Sequence, residues 1–387
     1  MLLPVPHSAF LDRYWQKEAL FLPRALPDVA PALDADEIAW LAMQPDVEAR
    51  LVFTHRRDNG SAYDLRQGPF SESVLSSLPR EDWTLLVNDV DKHLPEFRAF
   101  FAHVDFLPDW RVDDLMVSVA APGGSVGPHI DNYDVFLVQG KGRRRWLIGT
   151  AGRTEPADDS AALSLVKPFV PSATIDVTEG DVLYLPPGVP HWGVATDDCV
   201  TYSIGMRAPT MLELALGYAR ISGREKAPEA ADPVFYSDAD LGPDEAGPGR
   251  MHARAVARVR EQGLLPEALD DSTIARTLGC VATDPKAWLM PEPPGRREID
   301  DILDRPRGLA VHGMARVAWH EAAELLVFVN GESFSTDPAL LGFVRGISER
   351  RSTDAAEISA LTSSGAGAAL LRWLLREGLF DVGHIDE

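Results

Sequence analysis

Three residues of this chain have the types and spacing to hold a metal: His129, Asp131 and His191. The first two lie in Gly-Pro-His-Ile-Asp-Asn-Tyr-Asp, and the third ends Gly-Asp-Val-Leu-Tyr-Leu-Pro-Pro-Gly-Val-Pro-His. Two imidazoles and one carboxylate occupy one face of an octahedral Fe(II) and leave the other face for substrate and dioxygen. That is the chemistry of an oxygenase.

A His-x-acid pair is weak by itself, since about 1.5 are expected by chance in a chain of this composition. This chain holds three His-x-Asp pairs, at His103/Asp105, His129/Asp131 and His384/Asp386. His384 lies in the last four residues with no histidine after it, and reads as tail. His103 follows Phe97-Arg-Ala-Phe-Phe-Ala, a helix-like apolar pattern, and reads as a surface or core histidine. Before His129 stands a Gly/Pro-rich loop, Pro122 to Pro128, and after it an alternating run. Read as a strand, that run puts His129 and Asp131 on one face, continued by Tyr133, Val135 and Leu137. The alternative is a polar strand end with an incidental histidine.

The elements that must position these residues follow. Thr178 to Asp181 reads as a turn, Val182–Leu185 as a buried strand, Pro186 to Pro190 as a rigid turn, and His191-Trp-Gly-Val as the next strand. Small β-barrels use this pattern to bring a distant histidine to the barrel mouth. Gly140-Lys-Gly142 makes a tight turn into Arg143-Arg-Arg-Trp-Leu-Ile-Gly149. On a strand Arg144 faces opposite to Arg143 and Arg145. An inward arginine suits the carboxylate of a 2-oxo acid cosubstrate because its planar fork binds bidentately and stays charged. A basic outer edge is the alternative, and the pattern alone does not choose which arginine faces inward.

Residues 115–207 resemble a JmjC-type 2-oxoglutarate oxygenase, and Pro122 to Trp146, with loop, ligands and arginine run together, is very similar to the bacterial ribosomal oxygenases. The resemblance implies a cupin-like jelly-roll barrel, the double-stranded β-helix. It implies Fe(II), 2-oxoglutarate and dioxygen, with His129, Asp131 and His191 as catalytic metal ligands. It also implies Arg144 as the partner of the 2-oxoglutarate carboxylate, where many JmjC proteins use lysine, and Ser118, in Leu115-Met-Val-Ser-Val119, as a hydrogen-bond donor to 2-oxoglutarate. Thr201 and Ser203 share a face of Val200–Ile204 and are further pocket candidates. The implied substrate is an arginine of a basic large-subunit ribosomal protein, hydroxylated at its β-carbon. The triad itself is common to histidine hydroxylases and lysine demethylases, and a non-catalytic barrel scaffold is the rival of another class.

The chain of 387 residues has room for two or three domains. It has no apolar stretch of about 18 residues and no signal-peptide pattern at its start, so no membrane association is expected. Its two cysteines, Cys199 and Cys280, sit in no pairing or zinc pattern, which fits a reducing cytoplasm. The net charge of −22 repels nucleic acid and attracts basic proteins, although it equally serves solubility.

The fold class expected is α+β. Residues 1–208 would form the catalytic domain, with the barrel at about 111–207. The aromatic stretches at Tyr14 and Trp40 would pack on the barrel, and Asp34 with Glu37 would start a helix. Residues 209–294 read as a helical region, with helices at 211–220, 251–260 and 271–278 and a linker or mobile loop over 227–250. An apolar helix face invites a second copy, and the family resemblance implies a homodimer through this region. Residues 295–387 read as winged-helix-like: a hairpin around 324–335 at Asn330-Gly331, then helices from Pro338 and over 366–376 with Gly378 as the C-terminal cap. They lack a clustered basic face, so no nucleic-acid partner is expected.

Overall fold

A computed structural model of the chain describes residues 5–26, 33, 35–57, 60–152, 155–157, 165–223 and 233–382. The chain divides into two compact units. The first comprises residues 1–104, 112–206 and 239–241, and the second residues 105–111, 207–238 and 242–387. Asp34 and the His384/Asp386 pair lie outside the described residues.

In the first unit the order is α1 (His7–Arg13), β1 (Leu20–Leu22), α2 (Ala35–Leu41), β2 (Ala49–Arg57), β3 (Gly60–Gln67), α3 (Glu72–Ser76), β4 (Trp83–Val87) and α4 (Val90–His93). A 3-10 helix, Pro95–Val104, follows. Then come β5 (Val112–Ala120), β6 (Val135–Lys141), β7 (Arg144–Ile148), β8 (Ala173–Val177), β9 (Val182–Leu185), β10 (His191–Ala195) and β11 (Cys199–Met206). One sheet has eight strands in the order β1-β9-β6-β11-β5-β4-β2-β3, and the other has three, β10-β7-β8. Every strand pairing within these two sheets is antiparallel among the described residues.

Alternation along the strands sorts apolar from polar. Phe136 and Tyr184 point outward, where Phe10 of α1 and Trp15 cover them, with ring centroids 4.9 Å apart for Phe10–Tyr184. Tyr202 meets Phe100 of the 3-10 helix at 4.7 Å. The opposite face joins the two sheets through Val135, Leu137, Trp146, Ile148, Val177, Leu183 and Leu185. Further along that face the residues turn polar: Ser118, Gln139, Thr201 and Ser203 are all buried. A buried polar strip inside a barrel costs stability unless it is satisfied or serves a ligand.

Two expectations for this unit are corrected. The run after His129 is not a strand: β6 begins at Val135, and His129 pairs only through isolated bridges to Leu165 and His191. Tyr133 therefore does not continue a strand face and is 43% exposed. Trp40 is 54% exposed, while its neighbours Leu41 and Ala42 are buried. The large sheet extends beyond 111–207, because β1, β2, β3 and β4 add four strands from the N-terminal segment.

The second unit contains α5 (Met211–Ile221), α6 (Ala253–Glu261), α7 (Asp271–Thr283), α8 (Arg296–Asp304), β12 (Leu309–Val311), β13 (Val317–Glu321), β14 (Leu325–Val329) and β15 (Glu332–Thr336). After these come α9 (Leu341–Arg350), β16 (Ser352–Thr353), α10 (Ala355–Thr362), α11 (Gly365–Arg376) and β17 (Phe380–Asp381). α5 starts on a capping box between Thr210 and Glu213. α7 runs on to Thr283, five residues past its expected end, and stops before Pro285. The β14–β15 hairpin turns at Asn330 and Gly331 with φ of 49° and 86°, the left-handed pair that a two-residue turn requires. Every residue of β14 is buried. Leu326 and Phe328 face the core built by α5 to α7, and Leu325, Val327 and Val329 face the core built by α8 to α11. Residues on both sides of position 294 thus share this sheet.

The segment 227–250 is not a free linker where it is described. Tyr236 is fully buried, and the Glu245 carboxylate receives Arg258 in a bidentate pair at 2.6 and 2.7 Å. Among the described residues no helix is long and apolar enough to cross a membrane.

Candidate metal centre and its pocket

The loop that carries His129 is shaped by glycine and anchored at both ends. Gly123 N–H donates to Ala195 at 2.8 Å and Ala195 N–H donates back to Gly124 at 3.0 Å, tying the loop to the end of β10. At Gly127 φ is +88°, a conformation open to glycine, and a side chain there would meet Tyr63 and Leu165. A Cβ on Gly124 would run into the Trp83 carbonyl oxygen, which is backbone and has nowhere to go. Gly124→Ala is expected to cost about 1–3 kcal/mol and to weaken metal binding severalfold by displacing His129. Thermal melting and a Co(II) titration check this against Gly342→Ala, where a Cβ meets nothing.

His129 and His191 are linked directly: His129 N–H donates to the His191 carbonyl at 3.0 Å, and His191 N–H returns the bond at 2.9 Å. Their rings stand 4.2 Å apart. Asp131 reaches both, with its carboxylate oxygens 3.9 Å from His129 Nε2 and 3.4 Å from His191 Nε2. Its backbone is fixed by Gly188 N–H, which donates to the Asp131 carbonyl at 2.8 Å. One ligand atom from each of the three lies within 4.8 Å of the others, the only such cluster among the described residues.

The outer hydrogen bonds set the tautomers. Nδ1 of His129 is 3.0 Å from the Gly127 carbonyl, and Nδ1 of His191 is 2.9 Å from the Val189 carbonyl. A carbonyl only accepts, so each Nδ1 carries the proton and each Nε2 keeps a lone pair for a metal. Burial, reinforced by His191, pushes the His129 imidazole down to about 4, which keeps it neutral. Burial pulls the Asp131 carboxyl up, but the two histidines outweigh it and hold it at about 2. A neutral His129 imidazole, an ionised Asp131 carboxylate and the Nε2 of His191 are a donor set that suits a divalent metal.

The arginine run resolves by partner. Arg143 pairs with Asp197 at 2.9 Å and Arg145 with Asp176 at 2.7 Å, both on the surface. Arg144 points inward and is 4% exposed. Its Nη2 lies 3.7 Å from Cys199 Sγ, its Nε is buried without an acceptor, and it has no acidic partner among the described residues. Strand β7 is the centre of its sheet, so the edge alternative does not apply. Ser118 stands directly opposite Thr201, and Thr201 opposite Gln139. The Thr201 hydroxyl donates to Gln139 Oε1 at 3.1 Å. The sequence reading missed Gln139, which has no motif of its own. His103 is half-buried at the end of the 3-10 helix, against the ring of Phe100, and takes no part in this cluster.

At the rim, the Tyr133 hydroxyl is pushed well above its usual range, chiefly by the Asp131 carboxylate, then by burial, and further by Asp114 and Asp113.

Two antiparallel sheets closed on a His-Asp-His cluster, with a buried arginine behind it, define the JmjC class of cupin-like barrels. A JmjC domain model matches residues 99–214, and a ROXA-like winged-helix model matches residues 263–380. The Escherichia coli K12 ribosomal protein uL16 3-hydroxylase is 38% identical over 256 residues, 66% of this chain and 65% of its own length. A probable ribosomal oxygenase of Haemophilus influenzae is 38% identical over 215 residues, 54% of this chain and 52% of its own. The alignments thus span less than two thirds of either curated relative. The crystal structure of E. coli YcfD matches 98% of both chains at 30% identity, with a TM-score of 0.74. Another structure of YcfD, described as a ribosomal oxygenase in complex with cobalt and 2-oxoglutarate, matches at 29% identity and TM-score 0.70. The chain belongs to the JmjC-type ribosomal oxygenase family.

Proposed function

We propose that this chain is an Fe(II)- and 2-oxoglutarate-dependent protein hydroxylase whose substrate is an arginine side chain, at its β-carbon, of the basic large-subunit ribosomal protein uL16. The observation that carries the reading is Arg144, a guanidinium held inside the barrel with no acid to neutralise it among the described residues, in the same unit as three residues able to ligate a metal. The relatives' names supply the substrate.

In this reading His129, Asp131 and His191 hold Fe(II), and the bound metal activates dioxygen while 2-oxoglutarate is decarboxylated to succinate. The chain's own work is positioning. Arg144 takes the distal carboxylate of 2-oxoglutarate, and Ser118 and Thr201 line its path with hydroxyls. The buried strip of β5, β6 and β11 excludes water. Tyr133, 43% exposed, offers a ring face that can receive a guanidinium.

Further parts of the reading concern partners. The net charge of −22 favours encounter with a basic protein over nucleic acid. Leu212 and Leu216, one turn apart on α5, are 38% and 48% exposed, which supports a homodimer through the 209–294 region. A ribosomal substrate places the enzyme in the cytoplasm. Residues 1–208 would carry the catalysis, and 295–387 a winged-helix-like interaction module.

The test is mass spectrometry of a uL16 peptide incubated with protein, Fe(II), 2-oxoglutarate and ascorbate, beside His129→Ala. The expected result is a gain of one oxygen atom on an arginine, absent in the variant. Consumption of 2-oxoglutarate without that gain discards the substrate. Neither consumption nor gain, with iron bound, leaves a barrel scaffold.

A further inference from the structure

Arg144 is not the only arginine on the inner face without an acid beside it. Arg50 on β2 stands opposite Leu86 on β4, Leu86 opposite Ser118 on β5, and Ser118 opposite Thr201 on β11. Directly opposed residues share a face, so Arg50 leaves the sheet on the side that carries Ser118 and Thr201. Met116 and Asn88 sit on that side too, each two residues along its chain from Ser118 and Leu86. The guanidinium reaches them: Nη2 donates to Asn88 Oδ1 at 3.2 Å and lies 3.8 Å from Met116 Sδ. Arg50 Nε is buried and has no acceptor, and among the described residues no carboxylate is within ion-pair distance of this side chain.

Arg144 offers the same picture on the other sheet, with Nη2 3.7 Å from Cys199 Sγ and a buried Nε without an acceptor. Each guanidinium therefore rests on a sulfur, a weak acceptor that cannot balance its charge. Neither can shed its proton. Two half-satisfied cations on the inner walls of one barrel call for an anion at each. Further along the same face of β2, the Thr54 hydroxyl donates to the Ser125 carbonyl at 3.4 Å, in the loop that carries His129, so this face of β2 looks toward the metal cluster. 2-Oxoglutarate is a dianion with one carboxylate at each end, and the end beside the 2-oxo group is the end a metal chelates.

We infer that Arg50 is a second anchor for 2-oxoglutarate, holding the carboxylate beside the 2-oxo group while Arg144 holds the distal one. The inference rests on the function proposed above. Asn88 and Met116 keep the guanidinium aimed, and Arg50 is a binding residue of the cosubstrate site.

Calorimetry on the full chain loaded with Mn(II) separates the two anchors. The probes are 2-oxoglutarate and 2-oxobutyrate, which shares the chelating end but has no distal carboxylate. Arg50→Met is expected to weaken both by about tenfold or more. Arg144→Met is expected to weaken 2-oxoglutarate alone, down to the level of 2-oxobutyrate. Arg50→Lys keeps the charge without the fork and falls between, and it serves in place of the methionine variant should that one not fold. Mn(II) affinity of Arg50→Met should not fall, because a nearby cation has been removed. Binding of both 2-oxo acids within about twofold of wild type would overturn the assignment. A loss confined to peptide affinity would move Arg50 to the protein substrate. Wild-type protein that binds neither 2-oxo acid would overturn the assignment together with the reading beneath it.

Discussion

Arg144→Met should leave a folded protein that melts higher than wild type and holds 2-oxoglutarate only as weakly as a 2-oxo acid without a distal carboxylate. The two effects have one cause. The Arg144 guanidinium is buried against Cys199 and Trp146, with no carboxylate partner among the described residues. A charge removed from water without an opposite charge is a standing cost, and replacing it by an apolar side chain of similar length returns about 1 kcal/mol or more. With 2-oxoglutarate present the sign reverses. Losing one partner of a buried charge pair costs about 2–5 kcal/mol, or roughly 30- to 5,000-fold in affinity. The check is a melting curve with and without 2-oxoglutarate, in the presence of Mn(II). Wild type should gain from the ligand and the variant far less. A variant that melts lower without ligand, yet responds to 2-oxoglutarate as wild type does, would show Arg144 to be a packing residue.

Asp131→Ala should abolish metal retention without unfolding the barrel. Asp131 contributes to the fold through its backbone carbonyl, which accepts from Gly188 N–H and survives the substitution. Its side chain supplies the only negative charge in the cluster. Without it two imidazoles remain, and the metal must be held by two ligands. Outer partners of metal ligands alone are worth about 10–100-fold in affinity, so a direct ligand should cost more than about 100-fold, with turnover falling below detection. A Co(II) titration followed by its visible spectrum reads the first effect, and peptide hydroxylation the second. Wild-type cobalt affinity in the variant would remove Asp131 from the site.

Legibility in the sequence followed the range of each interaction. His129 and Asp131 could be picked out because both stand in one short motif, and His191 because a turn–strand–turn pattern delivers it. The strand expected at His129 does not form. Asp134, just before β6, accepts from the Tyr184 hydroxyl and from Gln16, so the approach to β6 is held by side chains rather than by a ladder. Which of the three arginines turns inward was not legible without the family resemblance. What disposes of Arg143 and Arg145 is Asp197 and Asp176, far along the chain and brought close only by the pairing of β7 with β10 and β8. Arg50 and Gln139 were missed for the same reason: each is one residue on a strand, and only register makes it part of a row. The helices α8 and α10 were missed despite local signals. Asp354 and Glu357 form a capping box at the start of α10, and Glu298 reaches back to Gly295 at the start of α8.

The reciprocal backbone bonds between His129 and His191 have a temporal consequence. His129 leaves the ribosome well before His191, and on its own it has neither the bridge that orients it nor a second imidazole. The two rings face each other only once β10 has been laid along β7, with Ile148 opposite His191. Metal capture is therefore a report that the smaller sheet has closed. A nascent or misregistered chain offers a redox-active ion no chelate. On the function proposed above, the pocket walls would be in place before the metal is there for them to contain.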